Sequence, residues 1–119
     1  MISGSKAAIL RALEIAKAKG AKRAIQLPVS GAFHSTLMNE AQEIMKQALA
    51  KAEIKSPIVP LVANVTANIV TDPNEIRDLL ARQITGSVNW RETMLFLNSQ
   101  GVEEIIEIGS GKVLAGLVG

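Results

Sequence analysis

Near the start of the chain, apolar residues recur at a helical interval. Ile9, Leu13 and Ala16 share one stripe, widened by Ala12 and Ile15, and predict a helix from about Ser5 to Lys19. Gly20 closes it, since glycine accepts the left-handed conformation found just past a helix end. The pattern then changes. Arg23 to Val29 reads as a strand built on Ala24-Ile25-Gln26-Leu27. It is ended by Pro28, which has no amide hydrogen to give a sheet ladder and so marks an edge or a strand end. A turn at Ser30-Gly31-Ala32 leads to His34. A second helix is expected from about Ser35 to Ala52, with Leu37, Ala41, Ile44, Ala48 and Ala52 on one face. Pro57 and Pro60 bracket a short apolar stretch that continues into a strand, Leu61-Val62-Ala63.

Asp72-Pro73-Asn74-Glu75 is a strong helix start, with Asp72 as cap, Pro73 at the first helical position and Glu75 at the third. Ile76, Leu79, Leu80 and Ile84 are its expected buried face. Asn89-Trp90-Arg91-Glu92 repeats the capping logic for a fourth helix, buried through Trp90, Met94 and Leu97 and stopped by Gly101. Val102 to Ile108, with Ile105, Ile106 and Ile108, predicts another strand. Gly109-Ser110-Gly111-Lys112 then turns the chain into a last apolar helix, Val113 to Val118. Helices alternating with strands give an α/β class. No internal repeat, low-complexity tract or flexible linker interrupts the pattern. Ile2-Ser3-Gly4 resembles the tail of a strand, and the last helix runs out at Gly119. Three or four short strands with five helices would leave sheet edges open, so the expectation is a fragment of a larger domain.

Composition narrows the function classes. Hydrophobic residues make up 48% of the 119 and charged residues 20%, which argues for a globular chain over a disordered one. Thirteen basic against 11 acidic residues leave a net charge of +2, a small imbalance with no basic stripe. The one tight basic cluster, Lys17, Lys19, Lys22 and Arg23, has no aromatic residue among it. Aromatics are 3% of the chain, too few to stack nucleic-acid bases, so no nucleic-acid partner is expected. The absence of cysteine excludes disulfides and thiolate chemistry and fits a cytoplasmic protein. No apolar run is long enough to span a bilayer, and Met1 to Lys6 lacks the layout of a signal peptide, so no membrane association is expected. One histidine with scattered carboxylates makes no metal-ligand cluster.

His34 is the residue most able to carry chemistry. It follows a strand and turn and stands just before a helix, where α/β folds place reactive groups. A histidine can take a proton near neutral pH and act as a general base. Taken alone, a single histidine is better read as a surface or half-buried side chain with no role. Ser30, Ser35 and Thr36 lie too close in sequence to converge on it as nucleophiles, and Ser35 and Thr36 read as helix N-caps. No Gly-x-Ser-x-Gly elbow occurs in the chain. Gly109-Ser110-Gly111-Lys112 invites a phosphate-binding reading. It fails both glycine-rich patterns, since Ile106, Val113 and Leu114 stand where they need Gly, Ser or Thr, and Gly. A tight strand-to-helix turn is expected there.

The stretch Leu27-Pro28-Val29-Ser30-Gly31-Ala32-Phe33-His34-Ser35-x-Leu37-Met38 resembles the histidine motif of malonyl-CoA:acyl carrier protein transacylases. The resemblance continues through Val62-x-Asn64-Val65, Ile76-Arg77-Asp78, Arg82-Gln83-Ile84, Val88-x-Trp90, Gln100-Gly101-Val102-Glu103 and Glu107-x-Gly109-x-Gly111-Lys112-Val113-Leu114. Ile2-Ser3-Gly4 and Gly20-Ala21-Lys22-Arg23-Ala24 fit as well, so it covers essentially the whole chain in the family's order. It implies an α/β-hydrolase-like core with an inserted ferredoxin-like subdomain. Residues 1–29 would be the last part of the insert, and residues 30–119 the C-terminal part of the core.

The implied reaction moves malonyl from coenzyme A to the phosphopantetheine thiol of acyl carrier protein through a malonyl-serine ester, in fatty acid biosynthesis. No cofactor is implied, because malonyl-CoA is a substrate. The family's catalytic histidine falls on His34, and the backbone carbonyl that orients it falls on Gln83. Phe33 gives Ala-Phe-His, resembling the malonyl-selecting form of polyketide-synthase acyltransferase domains, and Asn64 would lie near the same pocket. The family's Gly-His-Ser-x-Gly elbow, its glutamine-bearing oxyanion loop and its carboxylate-binding arginine are absent from this chain. Gly109-Ser110-Gly111-Lys112 carries Ser where relatives often carry Pro. The chain alone is therefore expected to be inactive. The competing expectation is a non-catalytic remnant or a module that binds carrier protein.

Overall fold

A computed structural model describes residues 2–118; Met1 and Gly119, the outermost residues of the two expected regions, lie outside that range. Helix α1 spans Lys6–Ala18. Ser5 caps it, its hydroxyl accepting from the Ala8 amide at 3.3 Å. Gly20, at φ +85°, ends it in a Schellman turn, with Ala21 N–H donating to Ala16 O and Gly20 N–H to Lys17 O, both at 3.0 Å. Ile9, Ala12, Leu13 and Ala16 form the half-buried stripe, whereas Ile15 faces solvent.

The second expected helix is present in two parts, a 3-10 turn over Thr36–Met38 and α2 over Asn39–Lys51. Ser35 occupies the cap position but does not cap. Its hydroxyl donates backwards to Ala32 O at 2.6 Å, closing the turn that carries His34. Strand β1 is Leu61–Ala63, as the sequence predicts. Its partner β2, Asn68–Val70, is not in the sequence reading. The two pair antiparallel, with Leu61 opposite Val70 and Ala63 opposite Asn68.

Helix α3, Pro73–Arg82, starts as expected: the Asp72 carboxylate accepts from Asn74 N at 3.0 Å and Glu75 N at 2.9 Å. Its buried face is Ile76, Leu79 and Ala81, while Leu80 is 48% exposed and Ile84 lies past the helix in a turn. The core is small. Val70, Ile76 and Leu79 form it, with Ile54, Ala63 and Val65 packed against them. Arg77 fastens α3 to the end of α2 by donating to Leu49 O and, at 3.0 Å, to Ala52 O. Leu49 O also accepts from Ala52 N–H at 3.2 Å, whereas Ala52 O lies past the helix end, where carbonyls lack helical partners.

Helix α4 is Trp90–Ser99. Trp90, Met94 and Leu97, its expected buried face, are only half-buried, and Thr93 is its buried residue. Asn89 does not cap α4 through its side chain; its amide donates to Val65 O at 2.6 Å and ties α4 to the hairpin.

Two predicted strands are absent as strands. Arg23–Val29 and Val102–Ile108 run without a ladder, because no segment among the described residues pairs with either of them as a strand. A strand exists through its partner's hydrogen bonds, and these two have none. Their apolar side chains stand exposed accordingly, Val29 at 63% and Ile108 at 94%. The expected last helix is a short 3-10 turn, Ala115–Leu117. The Glu107 carboxylate accepts from Leu114 N at 3.2 Å and Ala115 N at 2.9 Å. Two amides at the head of that turn are therefore already bound to an internal anion, which agrees with the rejection of a phosphate loop.

Candidate active site

His34 sits at φ +62°, left-handed backbone that non-glycine residues seldom adopt. Two neighbouring bonds hold it there. Ser35 donates to Ala32 O across the turn, and His34 N–H donates to Ile84 O at 3.0 Å. The second joins the loop before α2 to the turn after α3.

The imidazole lies against the same turn. Its Nδ1 is 2.9 Å from Gln83 O and 2.9 Å from Gly86 O. Both partners are carbonyl oxygens, which only accept, so Nδ1 carries a proton and, in the neutral ring, Nε2 holds the lone pair. The tautomer follows from the partners. Gln83 is the residue that caps the C-terminus of α3, where backbone carbonyls lack helical partners, so an acceptor is available for the ring. His34 is thus tied at its amide and at one ring nitrogen, leaving the other nitrogen free to take a proton.

The supporting turn is itself held from two sides. Thr85 donates its hydroxyl to Gln42 of α2. A Cβ placed on Gly86 would lie 3.6 Å from the Val65 methyl, so the hairpin packs against the turn from the other side. Asn64 stands at the end of β1, beside Val65, and its carbonyl accepts from Asn89 N–H at 2.9 Å. The structure therefore brings Asn64 close to the histidine's support through Val65, while the imidazole's own hydrogen-bond partners are Gln83 O and Gly86 O. Phe33, next to His34, is 47% exposed and lays its ring edge over Gly31, 3.2 Å from where a Cβ would stand.

The sequence reading placed His34 and Gln83 together and the structure joins them. It missed Ile84 and Gly86, whose contributions are backbone carbonyls and leave no side-chain signature. A cavity of about 750 Å³ lies elsewhere. It lies between α4 and the C-terminal segment, walled by Trp90, Met94, Leu97, Ile106 and Leu114. One of its walls is the unpaired Val102–Ile108 stretch. We read it as a packing gap, because its lining is mostly apolar and the Glu107 carboxylate on its wall is already bound to the Leu114 and Ala115 amides.

A loop histidine with a carbonyl-fixed tautomer, set in an α/β frame, is able to act as a general base. The comparisons specify the frame. No family profile matches the chain. It is 45% identical over 118 residues to the malonyl CoA-acyl carrier protein transacylase of Bacillus subtilis, covering 99% of this chain and 37% of that protein. To the Escherichia coli K12 transacylase it is 44% identical over 117 residues, covering 98% and 38%. Among solved structures, an acyl-carrier-protein S-malonyltransferase from Burkholderia pseudomallei superposes with a TM-score of 0.91 at 47% identity. A malonyl-transacylase solved in complex with its type II PKS acyl-carrier protein superposes with a TM-score of 0.92 at 42% identity.

The resemblance to malonyl-CoA:acyl carrier protein transacylases therefore holds along nearly the whole chain, and the fold is part of an α/β acyltransferase fold. The chain spans 37–38% of the length of these relatives.

Proposed function

We propose that this chain is the base-bearing part of a malonyl-CoA:acyl carrier protein transacylase, with His34 as its general base. The observation that carries the reading is the pair of carbonyls on His34 Nδ1, which leaves Nε2 free. The nucleophilic serine belongs to the part of the relatives that this chain does not span. Residues 1–29 correspond in this reading to the end of the ferredoxin-like insert, and the rest to the hydrolase-like core.

The serine hydroxyl gives its proton to Nε2 as its oxygen attacks the malonyl thioester carbonyl. The tetrahedral adduct collapses, the C–S bond breaks, and the departing coenzyme A thiolate takes the proton from Nε2. In the second half the phosphopantetheine thiol of acyl carrier protein gives its proton to Nε2. Its sulfur attacks the malonyl-serine ester carbonyl, the acyl C–O bond breaks, and the proton passes from Nε2 to the departing serine oxygen. Protons and acyl group balance without a cofactor. The Nδ1–H bonds persist whether or not Nε2 is protonated, so the ring keeps its orientation through both halves. Phe33 narrows the acyl site against an α-methyl branch, and Asn64 lies near its wall. Malonyl-CoA and acyl carrier protein are the partners, in the cytoplasm; no described helix is long and apolar enough to cross a membrane.

The test is a fusion in which this chain replaces the matching 118-residue segment of the Bacillus subtilis transacylase. It is expected to transfer radiolabelled malonyl to carrier protein and to prefer malonyl over methylmalonyl. Phe33→Ala should shrink that preference about tenfold, the scale of one methyl in a pocket. A folded fusion that transfers nothing would overturn the proposal and leave the non-catalytic, carrier-binding reading in its place.

A further inference from the structure

We infer that Gly86 is a second positioning residue for His34, so that two carbonyls sharing one N–H orient the base. The inference rests on His34 being that base. Gln83 O and Gly86 O stand at equal distance from Nδ1, 2.9 Å each, and come from opposite ends of one four-residue turn. A ring held by a single acceptor can still swing about the N–H···O line. With an acceptor on either side of the N–H, a swing toward one lengthens the bond to the other. Nε2 is thereby aimed as well as freed, and acyl transfer is sensitive to aim.

The residue type follows from the same geometry. Gly86 N–H donates to Arg82 O at 2.8 Å, folding the turn back over the end of α3. A Cβ at Gly86 would also fall 2.8 Å from Arg82 O, which is backbone and cannot move aside cheaply. Any other residue would push the turn outward and carry the Gly86 carbonyl away from the ring. The bond from Thr85 to Gln42 and the Val65 contact fix the turn against α2 and the hairpin, so the carbonyl is held from both flanks.

The test uses the full chain in the fused enzyme. An α-hydroxy acid at position 87 turns the Gly86–Ser87 peptide into an ester. This weakens the Gly86 carbonyl as an acceptor and leaves every side chain in place. The amide it removes makes none of the backbone hydrogen bonds recorded among the described residues. The expected result is a kcat lowered about three- to tenfold, the scale of one hydrogen bond, with KM and melting temperature unchanged. Gly86→Ala should lower kcat further, with some loss of melting temperature. An ester variant with unchanged kcat, beside a dead His34→Asn variant, overturns the role of Gly86 and leaves His34 as base. A lower melting temperature with unchanged kcat per folded molecule assigns Gly86 a structural role only and also overturns the proposal. If His34→Asn itself keeps full rate, the reading of His34 fails and this inference falls with it.

Discussion

Replacing His34 with asparagine in the fused enzyme is expected to lower malonyl transfer about 10²- to 10⁴-fold, the usual contribution of a positioned general base. Asparagine is the informative substitution because the backbone at this position is left-handed, at φ +62°. Asparagine tolerates that conformation better than alanine, which would add strain to the loss of the base. The amide cannot take a proton near neutral pH, so the chemistry is removed while the turn is kept. The melting temperature should stay close to that of the parent fusion. Steady-state transfer with radiolabelled malonyl-CoA, read beside a thermal melt, checks both. A variant that melts normally and keeps its rate would remove His34 from the mechanism.

The second large effect concerns the chain by itself. Alone it is expected to transfer no measurable malonyl and to self-associate, because it has no nucleophile elbow and much of its apolar surface is uncovered. The exposed residues are organised. Ile25, Leu27 and Val29 lie on one unladdered segment and Ile105, Ile106 and Ile108 on another. Each presents open backbone donors and acceptors beside apolar side chains, the combination that templates aggregation. No large side chain among the described residues is fully buried, so the core of Val70, Ile76 and Leu79 has little to set against that exposure. Light scattering and dye binding should report large species. Adding the separately produced remainder of the Bacillus subtilis transacylase should restore transfer. A monodisperse sample with a sharp two-state melt would contradict the expectation.

Local signals were legible where they are satisfied locally. The Asp72-Pro73-Asn74-Glu75 cap, the Gly20 stop and the stripe through Leu13 each depend on residues a few positions apart, and each is found where the sequence puts it. The predicted strands at Arg23–Val29 and Val102–Ile108 have strand-like sequences but no ladder, since pairing depends on a distant neighbour that the described residues do not supply. Strand β2 was missed because Asn68-Ile69-Val70 is three residues long and directly follows a turn, with Ala67 at φ +54° carrying no glycine or Asn-Gly signal. Leu80 was placed inside by helical spacing, but the small Ala81 takes the buried position, where α3 packs closely. In the site, His34 was readable as a side chain. Gln83 became readable through resemblance, and Gly86 by neither route, because a backbone carbonyl looks the same in every residue.

In the proposed site, carbonyls hold the Nδ1 proton of His34 and leave Nε2 bare. His34 is the chain's only histidine, so ¹⁵N-histidine labelling of this chain reports on it alone, even after mixing with the unlabelled remainder of the enzyme. The measurement is the long-range proton–nitrogen spectrum of that imidazole in its neutral form. The account predicts a protonated Nδ1 and an unprotonated Nε2. A proton on Nε2, with Nδ1 bare, would contradict it.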